Sequence, residues 1–267
     1  MKQANVDGTT LKYEVKGSGE PVVFIHGALF ESFGPTSEEP PLKDGFRLIR
    51  YCRRGYAGST GDAAVPMAKQ AADCAELLTT LGGKPAHIVG HSSGAIIALQ
   101  LAVDSPEAVR SLSLLEPPLV AVPSRDQLFE RIGPTPQMFE DGDSAGAFDS
   151  FMKGVCGERY RAAMEKALPG TIEQAIADAA TFFSGEFQAS VEWTFGREDA
   201  ARIRQPVLAV VGAESGTVWP GWDEGQKLLL EWFPQAKPFV LPRAAHLLQV
   251  ENPHDMAEGV AAFLASI

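Results

Sequence analysis

The chain has 267 residues, 45% apolar and 21% charged, enough for one large α/β domain with a substantial core and no compositional sign of disorder. Its 23 basic and 34 acidic residues leave a net charge of −11, which argues against nucleic acid or an anionic membrane surface as partner, because neither would meet a dense cationic patch. The polar start "MKQANVDGTT" lacks the apolar core of a signal peptide, and no apolar run approaches the ~18 residues of a membrane span.

The elements follow in chain order. "TLKYEVKG" (10–17) alternates as a strand, and "GSGE" turns it toward "PVVFIHG" (21–27), a short β-branched run of the kind buried in parallel sheets. "FRLIRY" (46–51) is a further strand, followed by the turn-rich "RRGYAGSTGD". In 67–81, Ala71, Cys74, Ala75, Leu78 and Leu81 recur at helical spacing until Gly82-Gly83 stops them. "AHIVG" (86–90) is a strand, "SGAIIALQLAVDS" (93–105) a mostly apolar helix, and "VRSLSLLEPP" (109–118) a strand ended by prolines. "PVLAVVG" (206–212) and "KPFVLP" (237–242) are strands separated by the helix "GQKLLLEWF", and "PHDMAEGVAAFLAS" (253–266) is a closing helix. Strands alternating with helices predict a doubly wound, mostly parallel sheet. Residues 119–205 break the rhythm with helical patterns such as "AGAFDSFMKGV", "RYRAAMEKAL" and "TIEQAIADAATFF". The expected division is a core of 1–118 and 206–267, with 119–205 a helical lid over the C-terminal edge of the sheet.

"VGHSSGA" (89–95) lies at a strand-to-helix junction and matches G-x-S-x-G. A nucleophile on so sharp a turn has a strained backbone, and residues two positions either side must be small. Only Ser92 has glycine at both places, Gly90 and Gly94; the adjacent Ser93 does not. A serine hydroxyl needs a base. Of the five histidines, His26 ends a buried strand, His91 sits within the elbow, His87 begins a strand and His254 opens the last helix. His246, in the loop "RAAH" before that helix, is the candidate base. Two backbone donors should hold the oxyanion: the N–H of Ser93, and the N–H of Ala28 in "HGAL", ahead of Leu29.

Taken together, "FIHGA" (24–28), "RRGYAGS" (53–59), "VGHSSG" (89–94) and "AAHLLQVENP" (244–253) resemble the α/β-hydrolase superfamily over nearly the whole chain. The resemblance implies an eight-stranded, mostly parallel sheet, a lid after the sixth strand and a Ser–acid–His triad, with no metal and no cofactor. The acid departs from the pattern. Family members usually place it three residues past the glycine that ends the seventh strand, where this chain has Ser215, with Glu214 one residue early. A subset takes it from the end of the sixth strand, where this chain has Glu116. Both glutamates stay open, Glu116 ahead of Glu214, with Asp223, or no acid at all, the remaining alternative.

The serine sets this chain apart from relatives that use an aspartate at the elbow, the dehalogenases and epoxide hydrolases. The expected reaction is hydrolysis of a carboxylic ester or lactone with a small-to-medium apolar group, through an acyl-enzyme on Ser92. Carbon–carbon bond hydrolysis, cofactor-free haloperoxidase or perhydrolase chemistry, hydroxynitrile lyase activity and a slow-turnover ligand receptor are the alternatives. Residues 119–205 carry Phe129, Phe139, Phe148, Phe151, Phe182, Phe183, Phe187, Trp193 and Phe195; most of these should pack the lid helices onto the core, and some should line an apolar pocket. The three scattered cysteines, Cys52, Cys74 and Cys156, form neither a disulfide framework nor a zinc site. The expected protein is a cytoplasmic monomer or homodimer acting on a small molecule.

Overall fold

A computed structural model describes all 267 residues. Eight strands form one sheet in the order β1-β2-β4-β3-β5-β6-β7-β8. They are β1 (Lys2–Val6), β2 (Thr9–Lys16), β3 (Pro21–Ile25), β4 (Arg47–Tyr51), β5 (Ala86–His91), β6 (Val109–Leu115), β7 (Val207–Gly212) and β8 (Lys237–Leu241). The first two strands pair antiparallel, β2 joins β4 antiparallel, and every later pairing is parallel. The expected doubly wound, mostly parallel architecture is therefore present.

β1 is the strand that the polar start concealed. Its turn to β2 is Asp7-Gly8, both with positive φ (45° and 75°), as a tight hairpin between right-twisted strands requires. The "DG" pair was the available signal. A second correction concerns β6, which stops at Leu115, because Glu116 takes a left-handed backbone (φ 46°).

The central strands are apolar throughout because both faces are covered. Neighbouring residues alternate between two cores: Val23, Ile25, Ile88 and Leu114 pack on one face, while Val22, Phe24, Val89 and Leu115 pack on the other. Helices α1 (Met67–Thr80) and α2 (Ser93–Asp104) cover the first face. The closing helix, Pro253–Leu264, buries Met256, Val260 and Phe263 against the second. β8 begins with the exposed Lys237 and Pro238, two residues that discourage pairing along an open edge.

Between β6 and β7 the chain forms helices α3 (Arg125–Ile132), α4 (Ser144–Cys156), α5 (Tyr160–Ala167) and α6 (Thr171–Ala177). A π-helical turn follows over Phe182–Glu186, leading into α7 (Phe187–Glu192). The sequence pattern over 171–183 suggests one continuous helix, and the structure breaks it at Asp178. No helix is long and apolar enough to cross a membrane.

Candidate active site

The elbow at β5–α2 forms as its glycines require. Ser92 has φ 52° and ψ −123°, a backbone that non-glycine residues adopt only when the surroundings impose it. A Cβ on Gly94 would stand 2.1 Å from the Ile25 carbonyl oxygen, and one on Gly90 2.5 Å from that of Gly94. Strand, turn and helix therefore pack too closely for any side chain at either position. The Ser92 amide donates to the Leu115 carbonyl (2.9 Å), tying the elbow to the end of β6.

The backbone amides of Ser93 and Ala28 donate to no other backbone carbonyl, and both residues line a cavity with Ser92. Leu29, next in that loop, has φ 71°. Behind the loop, His26 Nδ1–H donates to the Gly27 carbonyl (2.8 Å), and the Arg53 amide donates to His26 Nε2 (2.9 Å). His26 thus holds the loop, its imidazole kept neutral by burial.

Glu116 Oε2 accepts from His246 Nδ1–H at 2.6 Å, and Glu116 Oε1 accepts from the Gly212 amide at 2.7 Å. That pairing leaves His246 Nε2 as the basic nitrogen. Ser92 and His246 line the same small cavity. No hydrogen bond joins them, a contact that apo sites often tighten only around substrate. Burial disfavours charge on both members of the pair, lowering the proton affinity of His246 and raising the Glu116 carboxyl. The imidazole is therefore neutral near pH 7 and able to take a proton.

Glu214, the alternative acid, is corrected by its surroundings. It is part-exposed, pairs with Arg159 and forms no hydrogen bond with His246. Asp223 is exposed on helix α8 (Gly221–Trp232). Ser215, in the family's usual acid position, is a fully buried hydroxyl. The other histidines are placed elsewhere: His87 bonds Ser111 within the sheet, and His254 lies outside against Glu39.

Three supports escaped the sequence reading. The Trp222 indole stacks on the His246 ring, with centroids 3.8 Å apart and planes 11° from parallel. His91 Nε2–H donates to the His246 carbonyl at 2.7 Å, and His91 Nδ1 faces the Gln249 amide nitrogen at 3.1 Å. Arg53, fully buried, donates to both carboxylate oxygens of Glu186 at 2.9 Å and to the Gly27 carbonyl at 2.7 Å. Tyr56 donates to the same carboxylate at 2.6 Å. The motif "RRGYAGS" was visible, but its partner lies 133 residues away.

Two cavities meet at Ser92. The larger encloses about 660 Å³ of space, its open mouth included, and is lined mainly by apolar residues such as Leu119, Phe129, Phe151, Phe182, Phe187 and Trp219. The smaller lies on the His246 side, with Ser32, Met152 and Cys156 on its wall.

The sheet order, the strained serine at the β5–α2 turn and the histidine after β8 define a hydrolase-type scaffold. The sequence profile of the Alpha/beta hydrolase family matches residues 22–259, and the chain belongs to that family. Over 116 residues it is 36% identical to the dihydrolipoyllysine-residue acetyltransferase component of an acetoin cleaving system from Cupriavidus necator. That match takes in 43% of this chain but 31% of the relative, so the chain spans about a third of its length. Among solved structures, an enol-lactonase from Burkholderia xenovorans superposes with a TM-score of 0.83 at 18% identity, over 99% of this chain and 100% of that one. A thermophilic esterase from Thermogutta terrifontis gives 0.83 at 19% identity, over 100% of this chain and 99% of that one. These likenesses are of fold.

Proposed function

We propose that the protein is a serine hydrolase that cleaves a carboxylic ester or lactone carrying a small-to-medium apolar acyl group. The observation that carries this reading is His246, bonded through Nδ1 to a buried glutamate and sharing a cavity with a strained serine. Ser92 Oγ attacks the carbonyl carbon while His246 Nε2 takes its proton. Glu116 holds the imidazole in that tautomer and stabilises the imidazolium as it forms. The Ala28 and Ser93 amides stabilise the oxyanion. His246 then returns the proton to the departing alkoxide, and the acyl-enzyme is hydrolysed by water activated in the same way.

The two cavities suggest how the substrate is divided. The leaving group must lie where His246 can protonate it. The cavity on that side is the smaller, about 290 Å³ of space against about 660 Å³. A small alcohol fits there, and the apolar acyl chain fits the larger cavity. Residues 119–205 act in this reading as a lid whose helices wall the acyl side and gate access. The protein's three free, buried cysteines suit a reducing cytoplasm. The protein acts as a monomer or homodimer on a small molecule.

A fluorophosphonate probe tests the reaction type. Stoichiometric labelling that disappears in Ser92→Ala, together with turnover of a panel of esters and lactones, is the expected result. A folded protein that takes no label is no serine hydrolase, and a ligand receptor or lyase on the same scaffold becomes the better reading. A labelled protein that ignores the whole panel points instead to carbon–carbon hydrolysis or perhydrolysis.

A further inference from the structure

We propose that Arg125 makes the outer end of the larger cavity a carboxylate-recognition point, so that substrates are esters or lactones whose apolar chain ends in an anionic group. This deepens the hydrolase reading and rests on it. Among the residues lining that cavity, Arg125 is the sole charged one. Of the other polar groups, Ser92 and Ser93 belong to the elbow. Ser190 Oγ is committed to the Glu186 carbonyl at 2.7 Å. The indole N–H groups of Trp219 and Trp222 are also spent, on the Ser124 and Val155 carbonyls. Away from the reacting centre, the guanidinium of Arg125 is the remaining donor.

That guanidinium is uncommitted. Itself exposed, it has no carboxylate within ion-pair distance, whereas the exposed Arg159, Arg197 and Arg243 each have one; Arg204 is exposed and unpaired as well, but only Arg125 stands on the cavity lining. Nor does it donate a side-chain hydrogen bond. It is held instead over the face of Phe129, itself a lining residue, 5.2 Å from the ring centroid. Stacking leaves the edge of a guanidinium, where its donors lie, free for a planar partner. A free cation at the mouth of an apolar cavity, on a chain of net charge −11, is where a carboxylate would be drawn and held by paired hydrogen bonds.

The test uses monomethyl esters of linear dicarboxylic acids of increasing length, each paired with the methyl ester of the matching monocarboxylic acid. The quantity read is the ratio of kcat/KM for the anionic ester over the neutral one. In the intact protein this ratio should peak at one chain length. It should fall about tenfold in Arg125→Gln, further in Arg125→Glu, and weaken with added salt. A second measurement dispenses with turnover: binding of the same esters to Ser92→Ala, followed by tryptophan fluorescence from Trp219 and Trp222, with and without Arg125→Gln. A preference for the anionic ester that Arg125→Gln removes upholds the proposal even when no ester is hydrolysed, in which case the hydrolase reading alone fails. Ester turnover or binding without such a preference, or with one that Arg125→Gln leaves unchanged, overturns it.

Discussion

Ser92, Glu116 and Leu29 all hold left-handed backbone, with φ of 52°, 46° and 71°, and all three stand at the C-terminal ends of central strands or in the loop beside them. Strain of this kind persists only where neighbours over-determine it. Here the determinants are the glycine contacts of the elbow and the bonds from Glu116 to His246 and Gly212. Glu116→Gln should lower kcat/KM for a good ester by about a hundredfold or more, because the neutral amide neither fixes the tautomer nor stabilises the imidazolium. Glu214→Gln, which removes a surface ion pair, should stay within about threefold. Equal losses in the two variants would contradict the assignment. Gly94→Ala should destabilise the fold by about 3 kcal/mol in urea denaturation, the upper end of overpacking costs, because the methyl meets the Ile25 carbonyl rather than a movable side chain. Glycine spacing and loop position singled out Ser92 and His246 in the sequence, and the fold places both on one small cavity. They did not single out the acid, since two glutamates satisfied the same chain order and only the fold shows which reaches the imidazole.

Among the elements, the π-helical turn Phe182–Glu186 matters most to the site. One extra residue in a helical turn re-aims a side chain, and Glu186 is directed inward to Arg53 and Tyr56 with no exposure. The resulting clamp joins the β6–β7 segment to the Gly27 carbonyl in the loop after β3. Glu186→Ala leaves a guanidinium buried without a counter-charge and should cost about 3–5 kcal/mol. Replacing both partners with apolar residues, as Arg53→Met with Glu186→Leu, should recover much of that loss. If the double variant is as unstable as the single, an unpaired charge is not the cause. Periodicity in 144–156 and 160–167 announced helices α4 and α5. It did not announce α3, whose polar face outweighs its two buried residues, Leu128 and Ile132, nor the break at Asp178.

The whole molecule carries an electrostatic signature of its own. His26, His91 and His246 are buried, and burial lowers the pKa of each, that of His91 to about 3. In the unfolded chain they titrate near 6.5. Below that value the unfolded state binds more protons than the folded one, so stability is complete above pH 6.5 and declines as pH falls toward 3. Each fully neutral histidine contributes up to about 1.4 kcal/mol per pH unit across the window. Glu31, Glu116 and Glu251, whose carboxyls burial raises, act in the opposite sense above their ordinary 4.5, against four histidines, since burial lowers His87 as well. Calorimetry should therefore show the unfolding midpoint falling steadily as the buffer is acidified from pH 6.5 to about 4. A flat profile would mean that these imidazoles are not held neutral.

Local signals were enough for most of the scaffold. Short apolar runs between turn residues announced the central strands, because a strand covered on both faces must be apolar at every position. The glycine spacing around Ser92 announced the elbow, because sterics at a sharp turn act between near neighbours. Four features depended on long-range packing: the pairing of Glu116 with His246, the clamp of Arg53 on Glu186, the stacking of Trp222 on the imidazole and the free guanidinium of Arg125 at the cavity mouth. Each joins groups that no local pattern relates, or depends on which neighbours a side chain lacks. Pairwise chemistry of that kind exists only once the sheet brings its strand ends to one edge and the helices between β6 and β7 pack beside them.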